Sequence, residues 1–327
     1  MFGLRYAVGG APIEHTLSPI LFDLVLVYLK DKGHFSKLDA STVTILESNH
    51  VDEVLGWAYI EHDEHQPLWK PVNEKVNTFQ PQLLDASLKA IQLESDARIA
   101  AKHRPVIRKT DTLNFPERSS SYEVWLNLTS PLKHQIQGVA FSAIDEALEI
   151  ISVNALRYDG QGWYCATTDG RGVVHVASHF GIEVSKGAIL GINGGGGAAR
   201  SIASAWRSHG GKILSLGGKR QLPATMVNSK LETKTVCDLI IDAEGTLNVD
   251  VNATFVLSPV YLPMKGTYDE RMNALSTSNN QIDGRWMLAA QHLECWRTLW
   301  APHLSEDLPS LEELVTWLVA VECELEQ

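Results

Sequence analysis

Short apolar runs alternate with amphipathic segments through the second half of the chain. The runs have the length of strands and lie at 188–192, 212–216, 236–241 and 254–257. Between the first two runs, Ile202, Ala205 and Trp206 recur at helical spacing. Strands that alternate with helices are typical of an open parallel sheet. The pattern therefore predicts a doubly wound α/β domain in this half of the chain.

The first half of the chain predicts a second α/β domain. Strands are expected at 4–8, 42–46, 122–126 and 151–156, and helices at 81–101, at 142–150 and after Gly170. Another helix should have Ser18 as its N-cap and Pro19 at its first position, where these residue types are favoured. After Tyr261, two helical patterns, through 287–300 and 311–325, are expected to return to this first domain.

Composition and charge narrow the classes of partner. The 327 residues are enough for two domains, and 28 basic against 39 acidic residues give a net charge of −11. That charge argues against a nucleic-acid or anionic-membrane partner and favours a small molecule. Four widely spaced cysteines, no signal pattern and no apolar run of membrane length predict a cytoplasmic protein with reduced thiols.

A run of four glycines ends the first of these predicted strands. Gly194, Gly195, Gly196 and Gly197 are followed by Ala198, Ala199 and Arg200, so a strand turns abruptly into a helix. In a G-x-G-x-x-A pattern, Gly194 makes the tight turn, Gly196 lets the backbone approach a pyrophosphate, and Ala199 lets helix and strand pack closely. The helix N-terminus then receives the phosphates. The run predicts a dinucleotide site in a Rossmann-like domain.

A possible metal motif lies in the least regular part of the chain. His62, Asp63, Glu64 and His65 have ligand spacing, but they stand in an acidic stretch without a second cluster that would complete a site. We interpret them as a solvated loop and predict no metal.

Five polar motifs resemble those of the shikimate dehydrogenase family, in the same order along most of the chain. They are Pro12-Ile13-x-His15-Thr16-Leu17-Ser18-Pro19, Asn127-Leu128-Thr129-Ser130-Pro131-Leu132-Lys133, Val153-Asn154-Ala155, Thr167-Thr168-Asp169-Gly170 and the glycine run. Val260-Tyr261-Leu262-Pro263 and the stretch from Asp283 to Gln291 resemble later family motifs. The order of all these motifs is far more specific than any one of them.

The resemblance implies a site and a domain plan. Lys133 and Asp169 would be the catalytic pair, and shikimate would be surrounded by Thr16, Ser18, Thr129, Asn154, Tyr261 and Gln291. The implied substrate domain covers 1–168 and 284–327, and the implied NADP-binding domain covers 169–283. The cofactor would contact Gly194, Gly195, Gly196, Gly197, Ala198, Lys219 and Arg220.

The residue types suit this chemistry. Hydroxyls at Thr16 and Ser18 can donate to a carboxylate, and Asn154, Asp169 and Gln291 can read ring hydroxyls. Reduction of a ketone by hydride needs a proton donor at the developing alkoxide. Either member of the Lys133 and Asp169 pair could be the formal acid, because coupled groups share their titration.

Several positions depart from the family pattern. About 20 residues after the glycines, an NAD enzyme has an acid that binds the ribose, and this family often has N-R-T. This chain has Gly217-Gly218-Lys219-Arg220 there. No acid lies between Arg200 and Glu232, whereas that span is basic, so NADP is expected rather than NAD. Trp286 replaces a glycine that faces the nicotinamide, and its ring could crowd the cofactor or shift its helix. The interval from Ser18 to Lys133 is also unusually long.

Three functional hypotheses follow. The first is an NADP-dependent shikimate dehydrogenase, with 3-dehydroshikimate as the other substrate and a homodimer as a possible assembly. The second keeps the chemistry but uses quinate or another shikimate-like hydroxy acid. The third is a catalytically weak relative that binds a nucleotide or ligand as a sensor.

Overall fold

Two compact units make up the protein. The computed structural model describes residues 2–13, 16–36, 38–58, 122–136, 140–159, 162–228, 231, 235–246, 252–275 and 280–325. The first unit comprises Met1–Asp145, Val153–Ala166 and Trp296–Gln327, and the second comprises Glu146–Ser152 and Thr167–Cys295. The predicted helix at 81–101 and the His62 to His65 motif lie outside the described residues.

The first unit holds one sheet and three helices among its described residues. Its strands are β1 (Phe2–Gly10), β2 (Leu38–Glu47), β3 (Tyr122–Leu128), β4 (Phe141–Ala143), β5 (Ala155–Tyr158) and β6 (Trp163–Ala166). Its helices are α1 (Ser18–Asp31), α2 (Val51–Ala58) and α7 (Leu311–Leu325), with shorter turns at Leu132–His134, Trp296–Trp300 and Pro302–Asp307.

The sheet of the first unit is mostly parallel. Its order is β2-β1-β3-β5-β6-β4, and β5 alone is antiparallel to its neighbours. Leu4, Tyr6, Ala7 and Val8 of β1 are all buried, so both faces of this central strand are covered. Such near-continuous apolar strands are typical of parallel sheets with covered faces.

Large aromatic rings fill the core of the first unit. Trp125 of β3 is stacked on Trp300 with ring centroids 5.6 Å apart, and Trp296 meets Trp125 edge-on at 5.1 Å. Tyr6 of β1 stacks on Phe22 of α1 at 4.0 Å. The Trp300 indole N–H also donates to the Leu156 carbonyl at 3.1 Å. The segment after Cys295 therefore completes the core around the central strands.

The second unit has the predicted doubly wound pattern. Its strands are β7 (Ile189–Asn193), β8 (Lys212–Gly217), β9 (Cys237–Asp242), β10 (Ala253–Leu257) and β11 (Gln281–Ile282). Its helices are α3 (Asp169–His179), α4 (Gly197–Ser208), α5 (Tyr268–Leu275) and α6 (Gly284–Cys295). The sheet order is β11-β10-β9-β7-β8, and every pairing is parallel.

The fold class predicted from the sequence is confirmed, and the strands and helix predicted between Lys186 and Leu257 are present. The predicted domain boundaries at 168 and 283 separate a substrate-binding from a cofactor-binding domain, and they stay a prediction. The two compact units divide at 166 and 295. Among the described residues, no helix is long and apolar enough to cross a membrane.

Four local predictions are wrong. The predicted helix at 142–150 is a short strand followed by turns, and the strand predicted at 151–156 begins only at Ala155. The helix predicted through 287–300 ends at Cys295 and continues as a π-helical turn. Ser18 is not an N-cap, because Leu17 holds that position without a side-chain hydrogen bond.

Candidate active site

The glycine run forms a tight turn between β7 and α4. Gly194 has a φ of 119°, which favours glycine, and its N–H donates to the Gly217 carbonyl at 2.9 Å. Gly195 packs against backbone, since a Cβ there would lie 2.3 Å from the carbonyl carbon and oxygen of Gln221. These two glycines therefore allow the loop after β8 to lie close against the turn.

Gly196 is the glycine that faces open space. A Cβ at Gly196 would meet no heavy atom within 4 Å. Gly196 is the N-cap of α4, and the first hydrogen bond of this helix runs from the Arg200 N–H to the Gly196 carbonyl. The N–H groups of the preceding residues in the first turn have no acceptor within the helix. An anion such as a pyrophosphate can approach here, as predicted for Gly196, with Gly197 and Ala198 in the same turn.

Basic side chains surround the end of β8. Arg200 lies in the first turn of α4 and donates to the Ile151 carbonyl at 2.8 Å. Its pKa is lowered, first by burial and then by the positive charge of Arg220. Arg220 and Lys219 are exposed in the loop after β8. Like charges held near one another favour an anionic ligand, and a phosphate at Lys219 and Arg220 stays a prediction.

An acidic residue that the sequence did not single out lies in the same region. Glu244, in the turn after β9, accepts the Lys219 N–H at 2.6 Å and the Arg220 N–H at 3.2 Å. In this class of fold, the acid that binds the ribose usually follows the second strand, which is β8 here. Glu244 comes from the next strand, so only the three-dimensional structure reveals it.

Asp169 is fully buried at the first turn of α3. Thr168 is the N-cap of this helix and makes no capping bond through its side chain. The Ser201 hydroxyl of α4 accepts the Gly170 N–H at 2.9 Å and the Thr167 hydroxyl at 2.7 Å. Ser201 thus holds the backbone directly after Asp169 and the side chain of Thr167 before it. It is a second residue that the motif comparison missed.

Gln291 of α6 packs against Gly172, which lies about one helical turn after Asp169 in α3. A Cβ at Gly172 would come 2.8 Å from the Gln291 backbone nitrogen, so α3 and α6 cross in close contact. The Thr168 hydroxyl also lies 3.2 Å from the Cys295 sulfur at the end of α6. The structure therefore brings Asp169 and Gln291 together on adjacent helices of the second unit.

Trp286 and Tyr261 lie toward the beginning of α6. The Trp286 ring stacks on His179 at 4.7 Å and meets Phe180 edge-on at 5.3 Å, at the C-terminal end of α3. The indole N–H also donates to the Leu275 carbonyl at 3.4 Å, so the ring lies between the end of α3 opposite to Asp169 and the end of α5. The Arg285 guanidinium lies 5.6 Å from the centroid of the Tyr261 ring. Arg285 precedes Gln291 by about 9 Å along α6.

Two predicted substrate residues, Thr129 and Asn154, and the predicted catalytic Lys133 lie near the carboxyl end of β3. Thr129 directly follows β3 and donates its N–H to the Gly9 carbonyl at 2.8 Å. The Leu128 N–H donates to the Asn154 carbonyl, and the Val153 N–H donates to the Lys133 carbonyl, both at 2.8 Å. Asn154 is 1% exposed, whereas Lys133 is half-buried on the short turn Leu132–His134. The structure brings Thr129, Lys133 and Asn154 together.

Thr16 and Ser18 lie beside the same end of the sheet. They follow β1, whose last residues contact the Thr129 segment through the bond from the Ala11 N–H to the Ser130 carbonyl at 2.9 Å. The Thr16 hydroxyl accepts the N–H of Ser18, the first residue of α1, at 3.3 Å. His15 of this motif lies outside the described residues. No group of three metal-ligating side chains occurs in the described parts of the chain.

Comparison with known proteins supports the resemblance. No family model matches the chain. A curated relative, the shikimate dehydrogenase (NADP(+)) of Methylibium petroleiphilum, is 32% identical over 108 residues, which are 33% of this chain and 34% of that relative. The matched segment thus spans about a third of the relative's length.

Solved structures match over nearly the whole chain. Shikimate 5-dehydrogenase from Thermus thermophilus, in complex with NADP(H) and shikimate, has a TM-score of 0.53 and 18% identity over 96% of this chain and 98% of that one. Shikimate dehydrogenase from Aquifex aeolicus has a TM-score of 0.52 and 17% identity over 96% of both chains. The predicted resemblance is confirmed, and the chain has the fold of the shikimate dehydrogenases.

Proposed function

We propose that the chain is an NADP-dependent shikimate dehydrogenase that reversibly reduces 3-dehydroshikimate to shikimate in aromatic amino-acid biosynthesis. One observation carries the proposal: the polar motifs lie at strand ends in a fold shared with shikimate dehydrogenases. The relative from Methylibium petroleiphilum bears the same activity in its name. A cytoplasmic location and a homodimer remain predictions.

The cofactor proposal rests on the turn before α4. Gly196 leaves room for a pyrophosphate at the helix N-terminus. Arg200, Lys219 and Arg220 supply positive charge for a further phosphate group. NADP, when bound, supplies or accepts the hydride.

The substrate proposal assigns a role to each polar group. Hydroxyls at Thr16 and Ser18 bind the carboxylate, while Thr129, Asn154, Tyr261 and Gln291 hold the ring hydroxyls. In the reduction, Lys133 stabilises the developing alkoxide and donates a proton to it, and the Asp169 carboxylate keeps the lysine charged. In the oxidation the same pair takes the proton back.

The test is turnover of shikimate by the purified protein with NADP+, followed by the absorbance of the reduced nicotinamide. Lys133→Ala should lower kcat by about 10²–10⁴-fold, because general acid catalysis typically contributes that much. Lys186→Ala is the matched control, since Lys186 is exposed and paired with Glu183 at 2.7 Å. Full turnover by the Lys133 variant would contradict the role of this lysine.

The quinate and sensor hypotheses are separated by the same assay. Quinate carries a further hydroxyl that needs a partner, so comparison of kcat/KM for quinate and shikimate identifies the preferred substrate. NADP+ binding without turnover of either acid would favour the sensor.

A further inference from the structure

Three loops meet at the carboxyl ends of β7, β8 and β9. A Cβ at Gly218 would lie 2.7 Å from the Gly194 Cα and 3.1 Å from the Glu244 carboxyl carbon. A Cβ at Gly194 would lie 3.2 Å from the Glu244 Cγ. The Glu244 side chain therefore sits where the glycine turn and the loop after β8 come together.

Hydrogen bonds to the Asp242 carboxylate hold the turn that carries Glu244. The Asp242 carboxylate accepts the Asn193 side-chain amide at 2.7 Å. The same oxygen accepts the backbone N–H groups of Glu244 and Thr246, each at 3.3 Å. Because Asp242 and Asn193 end neighbouring strands, the backbone of the Glu244 turn is anchored to the sheet.

Glu244 places a negative charge among positive ones. Its two oxygens take the Lys219 and Arg220 N–H groups, which a phosphate could otherwise accept. In doubly wound dinucleotide domains, an acid at the end of the second strand binds the ribose 2′-hydroxyl, whereas basic residues accommodate a 2′-phosphate. Here the acid reaches the same loop from the following strand. A 2′-phosphate at this loop would face the carboxylate as a like charge.

We propose that Glu244 is a specificity-determining residue that opposes the cofactor's 2′-phosphate and so narrows the preference for NADP over NAD. Arg200, Lys219 and Arg220 favour the phosphate, and Glu244 offsets part of that preference. The inference rests on the proposed function only in taking the second unit to bind a nicotinamide dinucleotide.

The experiment measures dissociation constants of NADP+ and NAD+ by titration calorimetry without substrate. Glu244→Gln removes the charge but keeps an oxygen that can accept one loop N–H. It should strengthen NADP+ binding by about tenfold relative to NAD+, because a like charge is removed beside the phosphate. Glu244→Asp keeps the charge and should keep the wild-type ratio of the two constants.

Glu183→Gln is the control for loss of one carboxylate, since Glu183 is exposed and pairs with Lys186 away from these loops. It should leave both constants unchanged. The proposal would be overturned if the ratio of the two dissociation constants were unchanged in Glu244→Gln, or if this variant bound both cofactors equally more weakly. The same change of ratio in Glu244→Asp would also overturn it, as would a wild-type protein that binds neither cofactor.

The two proposals fail separately. Dinucleotide binding with the expected ratio change but no shikimate turnover would refute the enzyme assignment alone. Turnover with NADP+ and an unchanged ratio would refute the role of Glu244 alone.

Discussion

Asp23 is a buried carboxyl group in the middle of α1, 5% exposed. Its Oδ2 has no hydrogen-bond partner among the described residues. Burial raises the pKa of Asp23 from 3.8 to about 7, and the charge of Lys30 opposes part of that rise. The folded protein thus holds a proton on Asp23 that the unfolded chain releases above about pH 4.

Asp23 should make the protein less stable as pH rises. Its contribution is fully present below pH 4 and is lost as pH rises through 7, so the free energy of unfolding falls by on the order of 4 kcal/mol across that window. Asp23→Asn should remove this part of the fall, as measured by urea unfolding at pH 4 and pH 8. Asp52→Asn, at an exposed carboxylate of α2, is the control. Parallel profiles for wild type and the Asp23 variant would contradict the prediction.

Motifs predicted residues that follow strands, but not residues that act across elements. Thr129, Lys133 and Asp169 were indicated by their place after apolar runs. Ser201 and Glu244 were not, because each bonds to backbone groups more than 20 residues away in the chain. No local pattern of residue types records such a contact.

Helix α3 is held by close contacts at two of its glycines. A Cβ at Gly170 would lie 2.1 Å from the Ser201 carbonyl oxygen and 2.7 Å from the Ala205 Cβ. Gly172 makes the corresponding approach to Gln291 of α6. Since these neighbours are backbone or Cβ atoms, they cannot move aside as the end of a flexible side chain can.

Gly170→Ala should separate α3 from α4. We expect a loss of about 1–3 kcal/mol in the free energy of unfolding, the usual cost of overpacking, and a lower kcat because Asp169 is the adjacent residue. Denaturant unfolding and shikimate turnover measure the two effects. Gly162→Ala is the control, since a Cβ there meets nothing within 4 Å. Equal stability of the two variants would show that the helices can shift apart freely.

Element prediction succeeded where periodicity was regular and failed where it was short. The strands and the helix between Lys186 and Leu257 repeat apolar runs and clear turns, so they were predicted correctly. The wrong helix at 142–150 has alanines, leucine and isoleucines that fit helical spacing. The chain there forms the short strand β4, paired with β6 from Phe141 to Ala143, and then turns. Pairing with a strand some 20 residues on is tertiary context that overrides local preference.

On the scale of the whole molecule, the first unit depends on residues distant in sequence. Trp125 belongs to β3, whereas Trp296 and Trp300 follow the last residue of the second unit. Their fully buried rings contact one another and the ring of Phe22. The composition predicted a large core, but not which distant segments share it.

Trp300→Ala should destabilise the first unit strongly. Removal of a buried indole typically costs about 3–5 kcal/mol, and the hydrogen bond to Leu156 is lost with it. Leu262→Ala, at a side chain 72% exposed, should change stability by less than about 0.5 kcal/mol. The measurement is urea unfolding followed by near-ultraviolet circular dichroism. A small change in the Trp300 variant would mean that the cluster relaxes to fill the space.

The tryptophan cluster also constrains the order of events during synthesis. Trp125 emerges from the ribosome after Phe22 and Phe35, whose rings it meets edge-on. Trp300, on which it stacks, and Trp296 follow only after all of β7 to α6 has been made. The apolar core around β3 stays incomplete for that time, whereas the contacts of the second unit are closer in sequence and can form first. The first unit can therefore complete its native packing only after the last residues of the second unit have been made, and until then its exposed apolar core favours aggregation.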